Sequence, residues 1–447
     1  MIDSSHVSEQ TPSTLSSNWP QRLLLTPRSI QIATVVAIAS SGVLIPPGLA
    51  QDAVDEVPAA EAETPPLRIN VTGEILDQPV FTPFRREGTV REASQPVYVI
   101  NRQQFEAQGA RTVDEALRYL PGILSEGTAG GHLGALSGQF IRGGVTSQTL
   151  ILLNGRPLNE VGAFGGVDLS NFTTDAVEQI EVLPGGGSVL YGSNAIGGVI
   201  NIITRRSPAA GIEAEAGVTV GSYGFNNQVV QVRGATDAVS WVVGYNRTAA
   251  NNDFPFSLTS TDFEATRINA DVLYNNVNLS LTGNIDDRNQ VRFGLLYLSK
   301  DLGVPGGVPV PGSISGGFNS LTTDDSQYTE NWLLDLTYES QLSQSSDSVL
   351  TARVYADFVD LTFNDPVADN PFESPSQSRT DQMSLGGQIQ HAWQFSSNQN
   401  ITYGLDYRHV EADNFNIDLL SGDRTQNYSD TINQLGLFAR YQADVSP

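Results

Sequence analysis

Past Arg206 the chain alternates apolar and polar residues, position by position, through most of its remaining length. In VNLSLTGNI, Val277, Leu279, Leu281 and Ile285 fall on one side, and Asn278, Ser280, Thr282 and Asn284 on the other. WLLDLTY sets Trp332, Leu334, Leu336 and Tyr338 against Leu333, Asp335 and Thr337. LTARVYADF, ITYGLDY and QLGLFARYQ repeat the pattern, with Val354, Phe358, Tyr403, Leu405, Leu435 and Leu437 on the apolar side. A period of two predicts strands with one apolar face. About eleven such segments of roughly ten residues follow one another, the length of a tilted membrane-crossing strand and longer than strands of soluble sandwiches. An apolar and aromatic face opposite an Asn/Gln/Ser/Asp/Arg face suits lipid outside and a watery or filled lumen inside. The connections mix short turns, NN at 275–276 and SSNQ at 396–399, with long polar loops near 248–266, 300–330, 359–383 and 411–432. Long loops belong on one side of the membrane. This division leaves the loop at 300–330 on the other side, so a strand is missed or wrongly divided.

Before Arg206 the pattern is mixed. PVYVI predicts a strand, and Asn101 caps RQQFEAQ with Gln104 at the capping-box position and Gly109 at the exit. Thr112 caps VDEALRYL, with Glu115 three residues on and Pro121-Gly122 as the stop. Asn154-Gly155 between extended segments predicts a hairpin. AVEQIEVLPG and GGVINIITR predict two more strands around the glycine-rich stretch LPGGGSVLYGSNAIGGVINIITR, so 93–206 is expected to be a small mixed α/β domain. At the N-terminus, Arg22 and Arg28 precede an apolar core, Ile32 to Ile45, too short to span a bilayer, followed by Pro46-Pro47 and Gly48-Leu49-Ala50. Basic flank, apolar core and small-residue exit in that order predict an export signal over 1–50, rather than a buried helix. Residues 51–66 are acidic and Ala/Pro-rich, a linker composition, and the β-prone LRINVTGEI follows with nothing local to pair with.

Composition narrows the function classes. Charged residues are 16% and the formal net charge is −25, which repels nucleic acid. With no cysteine, disulfides, thiolate metal sites and a cysteine nucleophile are excluded. The glycine-rich stretch fails as a phosphate cradle, because no Lys-Ser/Thr follows its last glycine and Leu190 stands where a dinucleotide fingerprint needs glycine. Its glycines read as packing devices: Gly185 to Gly187 for tight turns, and Gly192, Gly197 and Gly198 for close backbone approach. His6, His132, His391 and His409 lie far apart, and the pairs Asp286-Asp287 and Asp324-Asp325 lack a calcium-loop pattern. No catalytic constellation or metal site emerges, so the expectation is a protein that is not an enzyme and holds no cofactor of its own.

Three segments carry a family likeness: PVYVINRQQFEAQGARTVDEALRYLPGI, FIRGGVTSQTLILLNGRPLN and IEVLPGGGSVLYGSNAIGGVINIITR. Their order and spacing resemble the plug domain of TonB-dependent outer-membrane receptors. The resemblance implies a transmembrane antiparallel β-barrel over 207–447 with an N-terminal α/β plug over 93–206. It also implies a periplasmic linker over 51–92 that contains a TonB box, Leu67, Arg68, Ile69, Asn70, Val71, Thr72 and Gly73. The family's barrel has 22 strands, so about eleven make the expected barrel a partial one, and the ending YQADVSP lacks the family's aromatic-terminated strand. The implied mechanism is active uptake of a scarce ligand, a ferric siderophore or, as the alternative, cobalamin. TonB and its inner-membrane energising complex would capture the box by strand addition in a cell outer membrane. A passive porin or surface adhesin is the reading from a different class. Plug loops bearing His132, Leu133 and Phe164 are expected to face the ligand. Arg142, Gly143, Gly185, Gly187, Tyr191, Gly192, Gly197 and Gly198 are expected to pack the plug, with Arg142 either in a buried ion pair to the barrel wall or at the surface.

Overall fold

The computed structural model describes residues 76–127, 132–160, 165–207, 210–258, 263–306, 323–343, 347–367 and 374–443. The expected export signal, the segment 67–73 and Phe164 lie outside the described residues. The plug begins with a two-strand clasp, β1 (Pro79–Val80) against β2 (Gly88–Thr89). Strand β3 (Tyr98–Asn101) then runs into helix α1 (Arg102–Gln108). Its capping box closes both ways: Gln104 N donates to Asn101 Oδ1 at 3.0 Å, and Asn101 N donates to Gln104 Oε1 at 2.9 Å. Gly109 ends the helix at φ 66°. Helix α2 (Val113–Leu117) is shorter than VDEALRYL, and its expected capping box does not form. Thr112 Oγ1 instead donates to Asp114 Oδ1 at 2.5 Å, and Arg111 occupies the Glu115 carboxylate.

Strand β4 (Ile123–Gly127) pairs with β5 (Ser137–Ile141), and β6 (Thr149–Leu153) folds back into β7 (Arg156–Pro157). Asn154 and Gly155 both take positive φ, 51° and 85°, the geometry of a primed hairpin turn. Strand β8 (Val177–Pro184), the one-turn helix α3 (Ser188–Tyr191) and β9 (Gly198–Thr204) complete the plug in a sheet ordered β3-β8-β9-β6-β7. Ile151, Ile180, Val182, Ile200 and Ile202 pack this sheet against Phe105, Leu117 and Leu169. Gly198 sits where a Cβ would stand 2.8 Å from Leu183 O and 2.9 Å from Ile141 Cδ1. Both neighbours are fixed in the core, so Gly198→Val is expected to destabilise the plug by about 1–3 kcal/mol. Chemical denaturation followed by tryptophan-free plug probes, such as amide exchange over 198–204, measures this.

Ten strands form the second sheet in strict sequence order. They are β10 (Gly211–Val220), β11 (Asn226–Ala235), β12 (Val239–Ala250), and, after a small hairpin of β13 (Pro255–Leu258) and β14 (Phe263–Thr266), β15 (Val272–Asp286), β16 (Asn289–Gly303), β17 (Ser326–Gln341), β18 (Ser348–Asp365), β19 (Ser376–Ser396), β20 (Gln399–Asp418) and β21 (Arg424–Ala443). Every pairing is antiparallel. The expected turn at Asn275-Asn276 is not a turn: both residues lie inside β15. Rejoining that strand reduces the count from eleven to ten and restores the side parity. The long connections 251–271, 304–325 and 366–375 now share one side with the N-terminal end of β21. The turns 236–238, 287–288 and 397–398 share the other.

Strands β18–β21 reach 18, 21, 20 and 20 residues, so the loops expected over 359–383 and 411–432 are mostly strand. Polar residues on both faces hid this, because ladder bonds use the backbone alone. Trp332, Leu336, Val354, Phe358, Tyr403, Leu435 and Leu437 are exposed on the outer face, while Leu333, Thr337, Tyr355 and Asp357 are buried on the inner one. Apolar residues facing out and polar residues facing in is the inverse of a soluble sheet and the pattern of a membrane barrel wall. The sheet is a partial barrel, with β10 and β21 as its edges among the described residues.

Candidate functional site at the plug–wall interface

Several ion pairs join the plug to the inner face of the wall: Arg205 meets Glu215 of β10 at 2.8 Å, and three others involve Arg85, Arg156 and Lys300. Arg85 meets Asp406 of β20 with Nη1–Oδ2 at 2.6 Å and Nη2–Oδ1 at 2.8 Å, a two-pronged contact. Arg156, at the head of β7, donates to Asp357 of β18 at 2.6 Å, with both side chains fully buried. Lys300 of β16 donates to Asp168 of the plug at 2.7 Å and to Ser170 Oγ at 3.0 Å. Asp168 also accepts from Ser137 N and Ser170 N, so its charge is shared among three donors.

Other wall residues hold plug main-chain oxygens. Arg353 donates to Asn154 O at 2.8 Å, Arg408 to Asn159 O at 2.8 Å, Tyr274 to Ser170 O at 2.9 Å and Gln390 to Arg85 O at 2.7 Å. Asn252 reaches Leu133 O at 2.9 Å. An amide ladder adds to these: Asn246 donates to Asp175 at 2.9 Å and Asn276 to Thr173 Oγ1 at 3.0 Å. Arg156 Nε and Nη2, Asp357 Oδ1, Thr402 Oγ1 and Arg408 Nε are buried in this seam without a protein partner among the described residues. Such groups call for bridging water. A cavity of about 220 Å³ runs between Asn154, Arg205 and Arg206 of the plug and Trp241, Arg292 and Arg353 of the wall. The seam is therefore rich in polar contacts, beside an apolar patch where Leu296, Leu298 and Leu333 of the wall join the plug core.

The chain enters the plug through a strap, 79–86. The Glu181 carboxylate, fully buried in the middle of β8, accepts from Thr82 N at 2.7 Å, Thr82 Oγ1 at 2.5 Å and Phe81 N at 3.0 Å. Asn201 donates to Thr82 Oγ1, and Tyr191 donates its hydroxyl to Thr82 O at 3.0 Å. Arg85, at φ 56°, completes the strap with its guanidinium 3.8 Å from the Phe438 ring centre and 5.1 Å from that of Tyr191. One short segment thus holds the plug sheet at Glu181 and the wall at Asp406.

Of the residues singled out from sequence, Tyr191 lies in this strap contact. Gly187 lies where a Cβ would stand 2.4 Å from Val199 Cγ2, and Gly197 where one would stand 3.3 Å from Gln148 O. Gly143, Gly185 and Gly192 take positive φ. Gly192 is therefore a turn position rather than a site of close approach. Arg142 is exposed at φ 49°, and the buried ion pairs form at Arg85, Arg156 and Lys300 instead. His132 and Leu133 are buried, and Leu133 packs on Ala250, Val272, Tyr274 and Leu302 of the wall and its loop rather than facing an open mouth.

Burial also raises the Asp114 carboxyl to about 6, although the Thr112 hydroxyl and Arg118 oppose the shift. An acid whose folded pKa lies above its unfolded value costs stability that is absent below the unfolded value, near 3.8, and complete above about 6. Acidification from pH 7 to pH 5 is therefore expected to strengthen amide-exchange protection around α2, after correction for intrinsic rates. Asp114→Asn should flatten that dependence.

Residues 89–199 match the family model described as TonB-dependent Receptor Plug Domain. Solved structures share the larger architecture. The copper transporter OprC aligns at TM-score 0.63 and 15% identity, over 83% of this chain and 54% of that one. The siderophore receptor PiuA from Acinetobacter baumannii aligns at 0.58 and 18%, over 79% and 54%. The ferric-catecholate import receptor Fiu from E. coli K12 aligns at 0.62 and 16%, over 82% and 59%. At these identities the likeness is one of fold, and the chain spans a little over half the length of each structure. The chain has the plug and barrel-wall fold of TonB-dependent receptors.

Proposed function

We propose that this chain acts as a TonB-dependent outer-membrane receptor for active uptake of a ferric siderophore. The observation that carries the reading is the strap. It leads from the β-prone segment 67–73 directly to Glu181 in the plug and Asp406 in the wall, so tension on that segment is delivered to the contacts that seat the plug. Those contacts are discrete hydrogen bonds and ion pairs rather than a continuous apolar core. PiuA, named a siderophore receptor, supplies the cargo class by analogy. A copper cargo of the kind named for OprC is less suited to a chain with no cysteine and two methionines.

TonB and its inner-membrane complex are the partners, and the outer membrane is the location. The test is uptake of radiolabelled ferric chelates by cells expressing the chain, with and without a protonophore. Uptake is expected to collapse on de-energisation while surface binding persists. Uptake that continues would indicate a passive pore and overturn the reading.

A further inference from the structure

The inner face of the wall beside the plug is poor in charge, and the next row toward the long connections carries two acids, Asp365 and Asp418. Three successive cross-strand rows on β16–β20 lie on the inner face; the third is buried throughout, and the first two are open toward the long connections on β18–β20. They read Leu302, Gln327, Phe363, Ser378, Asn416; Lys300, Thr329, Leu361, Thr380, Asn414; and Leu298, Asn331, Val359, Gln382, Ala412. Lys300 is the one charge in these rows, and it is buried against Asp168. Asn331 is 5% exposed, with its Oδ1 lacking a donor among the described residues. That unmet group is an acceptor and calls for a donor, not for an anion.

The rim on the long-connection side has a sign as well. Its described residues include Asp253, Glu264, Asp271, Asp324, Asp325 and Asp423, against Arg267 and Arg424. Arg267 is half-buried and donates to Pro305 O, and Arg424 lies on the Phe415 ring at 3.5 Å. A cargo entering here crosses a negative rim and then meets amides, hydroxyls and apolar side chains. Recognition of a polyanion needs Arg or Lys forks, and like charge at an entrance slows encounter and weakens binding.

Ferric chelates differ in this respect by simple charge balance. Three hydroxamates neutralise ferric iron, whereas three catecholates, each doubly ionised, leave the complex trianionic. We propose that the mouth takes neutral or cationic ferric chelates of the trishydroxamate type and rejects trianionic triscatecholates. The inference rests on the uptake function proposed above and specifies its cargo.

The test is equilibrium binding to the full chain in lipid nanodiscs, with three probes: ferrichrome (neutral), ferrioxamine B (cationic) and ferric enterobactin (trianionic). The neutral and cationic probes are expected to bind at least about tenfold tighter than the trianionic one at low ionic strength. Added salt should narrow that gap by screening the repulsion. The triple variant Asp253→Lys, Glu264→Lys, Asp324→Lys should narrow it through stronger trianion binding, with ferrichrome affinity unchanged. Asp253 and Asp324 are exposed loop positions and Glu264 is exposed on the small β13–β14 hairpin outside the main sheet, so folding is preserved. Trianionic binding equal to or tighter than neutral binding overturns the charge selection and leaves the uptake reading standing. Failure of all three probes to bind overturns the ferric-chelate reading itself.

Discussion

Proline at Ile69 or at Val71 is expected to abolish uptake while leaving cargo binding at the wild-type level. The sequence of 67–73 alternates, so in an extended strand added to a partner sheet Ile69 and Val71 would fall on the same face and the same main-chain edge. Strand addition to a partner sheet draws its affinity from main-chain hydrogen bonds. Proline removes one N–H and fixes φ, so a single replacement interrupts the ladder in a way that no side-chain truncation does. Ile69→Ala is the matching control: it keeps the N–H and should retain measurable uptake. The readout is the ratio of accumulated to surface-bound radiolabelled chelate in energised cells. Wild-type accumulation in both proline variants would show that 67–73 is not the segment on which TonB acts.

The second large effect is expected at the most deeply buried ion pair. Asp357→Ala should loosen the plug by about 3–5 kcal/mol, because it strands the Arg156 guanidinium in a site that water reaches poorly. The two side chains are 1% and 4% exposed, their contact is 2.6 Å, and the Tyr355 ring lies 5.0 Å from the guanidinium. Removing both charges together, Arg156→Met with Asp357→Leu, should recover most of the loss, since an apolar pair of similar volume avoids the desolvation that the ion pair incurs. Amide exchange over the β6–β7 hairpin measures the outcome. Equal protection in wild type and Asp357→Ala would mean that the pair does not hold the hairpin in place.

These contacts also show where the sequence was legible. Strict alternation carried the barrel wall, because an outer face in lipid and an inner face against a polar plug impose opposite demands on neighbouring residues. Local chemistry carried the plug turns: the Asn101–Gln104 capping box and the Asn154-Gly155 hairpin involve residues a few positions apart. The seam was not legible. Lys300 and Asp168 are 132 positions apart, Thr82 and Glu181 are 99 apart, and Arg85 and Asp406 are 321 apart.

A buried charge in a polar-inside barrel looks the same in sequence as a solvated one. The dipeptide Asn275-Asn276 is the sharpest case. Two adjacent asparagines have the composition of a turn, yet Asn276 is a buried wall residue that donates to Thr173 of the plug. The side parity of the long loops was the one clue against a turn there. Leu133 is the opposite case: a glycine-rich loop suggests exposure, but this leucine packs against the wall.

The wall's hold on main-chain oxygens has a consequence for how such a protein can change over generations. Arg353, Arg408, Tyr274, Gln390 and Asn252 all bind plug carbonyls, a group that every amino acid supplies. Substitutions in the plug at Asn154, Asn159, Ser170, Arg85 or Leu133 leave those oxygens in place as long as the turns keep their shape. At these contacts plug and wall can therefore drift in side-chain identity, whereas Arg85, Arg156 and Asp168 stay matched to charged partners on the wall. A gene encoding this wall could accept, by recombination, a plug of foreign sequence that keeps the backbone and those three charges.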